Sequence, residues 1–287
     1  MPDGPAGTLY VVAGPIGNLE DITLRALRVL REAELILAED TRVTRRLLSH
    51  YEIHTPLVSC HAYTQQSRIQ TLVERLAAGD DLALVTDAGT PGISDPGDKV
   101  VSAAISAGHI VTPIPGPSAV TALVSIAAVP GGRFVFDGFP PRGKSDRHRF
   151  FARLRTERRA VVLYESPRRI SSTLHELQET LGDRNVLIGR ELTKRFEEVY
   201  RGTLDCAAQW VSSRLCGEFS LLIYPAAEAR TQTDESCTNL DAVLLAALAA
   251  GQSPSDAVRA AMTATGIGRR AVYARMLELR RGMQANG

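Results

Sequence analysis

"LALVTDAGTPGISDPG", residues 82–97, decides how the chain reads. Its first four residues are apolar without alternation, the pattern of a short strand buried on both faces. From Val85 to Gly97 there follow three glycines, two prolines and two aspartates, with no lysine or arginine. Loops at the carboxyl ends of parallel strands are where α/β proteins bind ligands. Glycine lets the backbone approach a ligand, proline stiffens the loop, and aspartate offers acceptors to hydroxyls or cations. A phosphate cradle would normally add a lysine or arginine. The loop therefore suits a ligand rich in donors or positive charge, the alternative being a rigid turn between strand and helix.

The same strand, loop and helix recur on either side. Leu9 to Ala13 reads as a strand running into "GPIGN", Gly14 to Asn18, then a helix that Asp21 caps, with Leu24, Leu27 and Leu30 inside. Leu35 to Ala38 is a strand before a helix that turns Val43 and Leu47 inward and groups Arg42, Arg45 and Arg46 on another side. Leu57 to Cys60 is a third strand, and Ile69, Leu72, Val73 and Leu76 mark a helix closed by Gly79. Ile110 to Pro115 is a fifth strand, followed by a helix whose first turn takes Pro117. Alternation of this kind predicts a mainly parallel sheet covered on both faces, over residues 1–129.

Residues 130–225 read as a second α/β domain with a mixed sheet. Strands fall at 134–136, 161–164, 186–188, 199–201 and 219–223, with helices near 145–157, 168–181 and 204–214. The later connections are short, which implies some antiparallel pairing. Residues 226–239 are polar and turn-rich, a linker, and 240–287 hold three helical patterns with "TGIG" between the last two. That spacing permits a helix-turn-helix bearing Arg269, Arg270, Arg275, Arg280 and Arg281, or else a helical cap on the second domain.

The chain has 287 residues and a formal charge of +1. Residues 142–159 carry a local +6, which leaves −5 elsewhere and points to a polyanionic partner or a solvated helix face. Cys60, Cys206, Cys216 and Cys237 form no C-x-x-C pair, and His50 and His54 lack a zincin's glutamate, so no metal is expected. No stretch approaches the ~20 apolar residues of a membrane span and no signal peptide opens the chain, so the expected compartment is the cytoplasm.

Neither a Walker loop nor a G-x-G-x-x-G fingerprint follows the first strand. Instead, "GPIGNLEDIT", "AEDTR", "DAGTPGISDPG", "PGPSA", "YESPRRI", "RELTKRFEE" and "GEFSLLIY" occur in order over residues 8–224. Together they resemble the tetrapyrrole methylase superfamily, a class III methyltransferase fold of two α/β domains, and within it the ribosomal RNA small subunit methyltransferase I branch. The terminal helices are similar to that branch's small extra domain. The resemblance implies S-adenosylmethionine (S-adenosyl-L-methionine) as cofactor, a homodimer, and methylation of a cytidine ribose hydroxyl in 16S rRNA of the small ribosomal subunit, near the decoding centre. It places cofactor contacts on Gly14, Pro15, Gly17 and Asn18, on Asp87, Gly89 and Thr90, on Ser118 and Ala119, and on Leu163. Gly14 stands where the family usually has threonine, which removes a hydroxyl while leaving the backbone. A sulfonium is welcome beside aspartates, which accounts for a glycine loop without lysine.

Transfer to a ribose hydroxyl needs alignment and a proton acceptor. Glu39, Asp40, Glu165, Glu191 and Lys194 are the candidates, each also able to serve only in an ion pair. RNA is held mainly through phosphates, which nominates Arg42, Arg45 and Arg46, then Arg142, Lys144, Arg147, Arg149 and Arg153, then Arg168 and Arg169, and finally Arg269 and Arg270. Two other readings are a tetrapyrrole C-methyltransferase of the same fold and a non-catalytic RNA-binding protein.

Overall fold

The computed structural model of the protein describes residues 6–61, 65–226, 243–247, 253–265, 272–273, 275–277 and 279. Two compact units divide the chain near Ala226. The first unit holds two five-stranded sheets.

The first sheet contains β1 (Thr8–Val12), β2 (Leu35–Ala38), β3 (Leu57–Ser59), β4 (Leu82–Val85) and β5 (Ile110–Ile114), in the spatial order β3-β2-β4-β1-β5. All its pairings are parallel, with Leu9 opposite Leu82 and Val111. β2 and β4 are buried along their whole length, as continuous apolar runs require. On one face lie α1 (Leu24–Glu32) and α2 (Thr41–His50), packed through Ala26, Leu30 and Leu48. On the other lie α3 (Gln66–Ala77) and α4 (Asp98–Ser106), packed through Ile69, Leu72, Leu76 and Ala104.

Strand order positions the site. β4, β1 and β5 are neighbours, so the loops that leave their carboxyl ends are adjacent although far apart in sequence. β2 flanks β4 and brings "AEDTR" beside the same edge.

Several local expectations shift by a residue or a turn. Asp21 sits in a short 3-10 turn, and α1 is capped by Thr23, whose hydroxyl accepts the Ala26 amide at 3.1 Å. Leu24 is therefore on the outer face at 86% exposure, and Ala26, Leu27, Val29 and Leu30 are inside. In α2 the buried side is Thr44 and Leu48, with Leu47 half-buried and Val43 exposed. α5 (Ala119–Ser125) starts after Ser118, so Pro117 precedes the helix and stiffens its approach.

The second sheet comprises β6 (Phe134–Phe136), β7 (Ala160–Glu165), β8 (Asn185–Arg190), β9 (Glu198–Thr203) and β10 (Phe219–Ile223), in the order β6-β7-β10-β8-β9. β6 and β7 are parallel and the other three pairings antiparallel. α6 (Lys144–Leu154), α7 (Ile170–Leu181) and α8 (Leu204–Ser212) cover one face through Phe151, Leu174, Leu177 and Ala207. The opposite face receives α5, whose Val120 and Leu123 pack, with Ala127 just beyond its end, on Val162, Leu187 and Leu222. Burying Leu123 alone contributes roughly 2 kcal/mol, and the helix that ends the first sheet's last loop becomes the wedge joining the two sheets.

In the second unit, Leu244, Ala247, Ala257, Val258, Ala261, Val272 and Met276 form a small apolar core. Its described helix, Pro254–Thr265, is opened by Ser253, whose hydroxyl accepts the Asp256 amide at 3.2 Å. Residues 227–239 of the expected linker, and Arg269, Arg270, Arg280 and Arg281, lie outside the described residues.

Candidate functional site

At the carboxyl edge of the first sheet the three glycine loops are tied by main chain. The Gly14 amide donates to the Gly89 carbonyl at 2.8 Å and the Gly89 amide to the Pro15 carbonyl at 3.2 Å. The Thr90 hydroxyl donates to the Pro117 carbonyl at 3.1 Å. Gly89 has φ of +75°, and a Cβ there would stand 3.2 Å from Ile16 Cγ2. Only glycine adopts that turn while letting Ile16 close over it. Gly116 is similarly compelled, since a Cβ would lie 3.0 Å from that of Ala13.

These loops form one wall of a cavity of about 290 Å³, at the small end for ligand sites. Ile16, Gly89, Thr90, Ser118 and Ala119 line it from the first sheet's side. Phe139, Tyr164, Glu165, Leu192 and Glu218 line it from the second. Phe139 and Phe136 both pack against the Tyr164 ring, with centroids 5.6 and 4.9 Å away. No lysine or arginine lines the wall, whereas Asp95, Glu165 and Glu218 do.

The acids next to the cavity repel one another. Burial, reinforced by the Glu39 carboxylate and then by Asp87 and Glu218, pushes Asp95 up to about 6 against the pull of the Thr86 hydroxyl. Burial also raises Glu39, with Asp87 adding to it. Tyr164 is raised by burial, although the Val120 amide and the Ser118 hydroxyl pull the other way. A cation placed among these groups relieves their mutual repulsion.

The expected contact residues separate into two sets. Gly89, Thr90, Ser118 and Ala119 line the cavity, and Gly14 and Pro15 hold Gly89 in place. Gly17, Asn18, Asp87 and Leu163 do not line it. Asn18 caps the turn that follows it by accepting the Glu20 amide at 3.1 Å. Asp87 is exposed and accepts the Asp40 amide at 2.9 Å, tying "AEDTR" to the glycine loop. Leu163 turns its side chain fully into the second sheet's core, while the next residues, Tyr164 and Glu165, reach the cavity. Asp95, Tyr164, Phe139 and Glu218 were not singled out from sequence. Asp95, Tyr164 and Glu218 lie inside quoted motifs, but Phe139 carries no comparable signal.

The proton-acceptor candidates also separate. Side-chain and amide hydrogen bonds from Arg42 hold Asp40 down to about 2. Glu165 is buried and has both oxygens engaged: Thr173 donates at 2.6 Å, the Ser166 amide at 2.8 Å, and Arg147 and Arg169 stand 3.6 and 3.5 Å away. Lys194 bridges Glu191 at 2.9 Å and Glu218 at 3.1 Å. Burial raises Glu191, yet the hydrogen bonds from Lys194 and the Glu218 amide outweigh it and leave the group lowered. Burial lowers Lys194, and its two carboxylate partners more than reverse that.

The 142–159 run is no uniform basic face. Arg147 is buried, donates to both Glu176 oxygens at 2.8 and 2.9 Å and to Thr173 at 2.6 Å, and so belongs to the core network around Glu165. Arg169 donates to the Pro140 and Pro141 carbonyls at 2.7 and 3.0 Å. Arg149 pairs with Asp146, Arg153 with Asp137, and Arg159 with Glu157. Arg142, Lys144 and Arg168 are outside such pairs among the described residues. Counting charge along the chain could not reveal these partners.

Residues 8–208 match the family model described as Tetrapyrrole (Corrin/Porphyrin) Methylases, and residues 239–280 match the one described as RsmI C-terminal HTH domain. A ribosomal RNA small subunit methyltransferase I of Synechocystis is 43% identical over 276 residues, covering 95% of this chain and 98% of that one. The protein of the same name from Halalkalibacterium halodurans is 47% identical over 219 residues, 76% of this chain and 75% of that one. Among solved structures, the methyltransferase CobJ superposes with a TM-score of 0.59 at 19% identity, covering 79% of this chain and 97% of that one. The uroporphyrin-III-C-methyltransferase of Thermus thermophilus gives 0.55 at 21%, covering 76% and 94%. With the strand order, the three glycine loops and these likenesses together, the chain belongs to the ribosomal RNA small subunit methyltransferase I branch of the tetrapyrrole methylase family.

Proposed function

We propose that this chain methylates ribosomal RNA of the small subunit, at the ribose 2′-hydroxyl of a cytidine near the decoding centre. The names of its relatives support the substrate class. The observation that carries the chemistry is the cavity itself, walled by glycine backbone and an aromatic ring, flanked by carboxylates and free of basic side chains.

Methyltransferases of this family use S-adenosylmethionine, which supplies an electrophilic methyl group on a positively charged sulfur. The residues present fit such a molecule. The Ala119 amide at the start of α5 offers a main-chain donor to its polar parts and the second lone pair of the Gly89 carbonyl an acceptor, and Ile16 and Leu192 offer apolar contact. Asp95, Glu39 and Glu218 favour its positive charge, and the Tyr164 and Phe139 rings add attraction for a cation. The wall of Phe139, Tyr164 and Leu192 keeps water from the reacting atoms.

Asp95 is the carboxylate that both lines the cavity and has an affinity for a proton near neutrality, so its carboxylate oxygen receives the proton of the ribose hydroxyl. Glu39 stands behind it. Glu165 holds the second sheet's edge in place through Thr173 and Arg147. The protein acts as a homodimer in the cytoplasm; among the described residues no helix is long and apolar enough to cross a membrane.

Calorimetric titration with S-adenosylmethionine, followed by methyl transfer to small ribosomal subunits and, separately, to a tetrapyrrole, tests the reading. Cofactor binding with label appearing in a cytidine ribose is the expected result. Label in the tetrapyrrole alone would sink it in favour of the C-methyltransferase, and no cofactor binding would leave only an RNA-binding protein.

A further inference from the structure

α2 lays its charge out differently from α6. Arg42, Arg45, Arg46, Ser49 and His50 recur at the spacing of one helical face and together line an open concavity on the surface. All five are exposed, because Thr44, Leu48 and the half-buried Leu47 hold the opposite face on the sheet. Arg42 is committed to Asp40, with contacts of 2.6 to 3.1 Å. Arg45 and Arg46 have no carboxylate within 4 Å among the described residues.

In the 142–159 run, by contrast, Arg147, Arg149, Arg153 and Arg159 are each paired with an acid. The remaining cations, Arg142 and Lys144 at one end and Arg155 and Arg158 at the other, are separated by the ~15 Å length of α6. α2 also begins at the site: its N-cap Asp40 donates its amide to Asp87 on the glycine loop at 2.9 Å. From there the basic face runs outward for about 15 Å.

We propose that the exposed face of α2, through Arg45 and Arg46 with Ser49 and His50, is the seat of the RNA strand's phosphodiester backbone as it enters the site. The seat rests on the functional reading above and names where that substrate is held. Arg45 and Arg46, consecutive on this face, present two guanidiniums to the phosphate oxygens of the strand, with Ser49 and His50 one turn further along. The Ser49 hydroxyl supplies a further donor, and no carboxylate competes for the pair.

The test uses the full chain and purified small ribosomal subunits in a binding series from low to high salt. Arg45→Ala/Arg46→Ala is expected to weaken subunit binding about tenfold and to reduce the slope of log affinity against log salt by roughly 0.7 per arginine removed. Its affinity for S-adenosylmethionine and its melting temperature should match the parent's. Arg45→Lys/Arg46→Lys, which keeps the charge, should recover most of the binding, and Arg155→Ala/Arg158→Ala should change it by less than threefold. Inorganic phosphate at constant ionic strength should not displace the subunits; displacement would replace the strand contact by a free-phosphate site. An unchanged slope in the Arg45/Arg46 variant, or a larger loss in the Arg155/Arg158 variant, overturns the seat on α2. If the parent itself binds cofactor but neither binds nor methylates the subunits, the functional reading falls, and the seat falls with it.

Discussion

The first sheet meets the cavity with loops held by main chain, from which Ile16 and Asp95 reach in, and the second meets it with side chains. Gly14, Pro15 and Gly89 exchange amides and carbonyls between two neighbouring loops, and the third is tied on where the Pro117 carbonyl accepts the Thr90 hydroxyl. Across the cavity, Tyr164, Glu165 and Glu218 are held by rings, hydroxyls and ion pairs. A wall of main chain is specified by whichever residues permit the turn, so it is robust to most changes outside its glycines. A wall of charged side chains depends on every partner being present, because a buried charge without its counter-ion is costly. Substitutions on the two sides should therefore fail in different ways: loss of ligand with little loss of stability on one side, loss of stability first on the other.

The largest effect is expected in the ion network. Arg147→Ala removes the cation shared by Glu176 and the buried Glu165, which keeps only Arg169 at 3.5 Å, and this should cost about 3 to 5 kcal/mol. Urea unfolding reads this as a lower midpoint at unchanged slope; a loss under about 1 kcal/mol would mean that Arg169 alone suffices and would erase the contrast between the walls.

Gly89→Val probes the main-chain wall. A branched side chain at φ of +75°, 3.2 Å from Ile16 at its Cβ, should lower affinity for S-adenosylmethionine by at least tenfold, with about 1 to 3 kcal/mol of stability lost. Calorimetry beside a melting curve separates the two quantities. Equal cofactor affinity in a folded variant would remove this glycine from the binding wall.

The smallest effect depends on pH. Asp95 sits at about 6 in the folded protein against an ordinary 3.8, so folding favours its protonated form. Its contribution to stability is complete below pH ~4 and is lost as pH rises through ~6. The group is only half-buried, and solvent screening reduces the penalty to about 1 to 2 kcal/mol. Asp95→Asn should flatten the fall in stability between pH 4 and pH 6. An unaltered pH dependence would show that another acid, Glu39 first, carries the titration.

Much of the main-chain wall could be read directly from residues 82–97, because glycine permits turns that other residues avoid and proline fixes the backbone wherever it stands. Alternation of strand and helix predicts one parallel sheet but not its order, so it does not reveal that β4, β1 and β5 are neighbours. Helix faces were less legible. Leu24 and Val43 are apolar residues on outer faces, and the period of 3.6 cannot say which of two registers meets the sheet until the cap, here Thr23, fixes the start. The charged wall was least legible. Arg147 belongs by composition to a basic run, and only the arrival of α7, with Thr173 and Glu176, turns it inward. Asp95 lies in plain view inside the opening stretch, yet its perturbation comes first from burial and then from Glu39, which only the folded chain brings to it.

Gly17 follows the first strand of one sheet and Lys194 lies between two strands of the other, and a Cβ on Gly17 would stand 2.3 Å from Lys194 Cγ. The aliphatic stem of the lysine occupies the space that any other residue at 17 would need, while its ammonium is anchored by Glu191 and Glu218. The two positions therefore constrain each other's history. A lineage can enlarge residue 17 only after residue 194 has been shortened or swung away, and either change made first passes through a poorer intermediate. Substitutions at these two sites should arrive as ordered pairs, with the lysine yielding before the glycine.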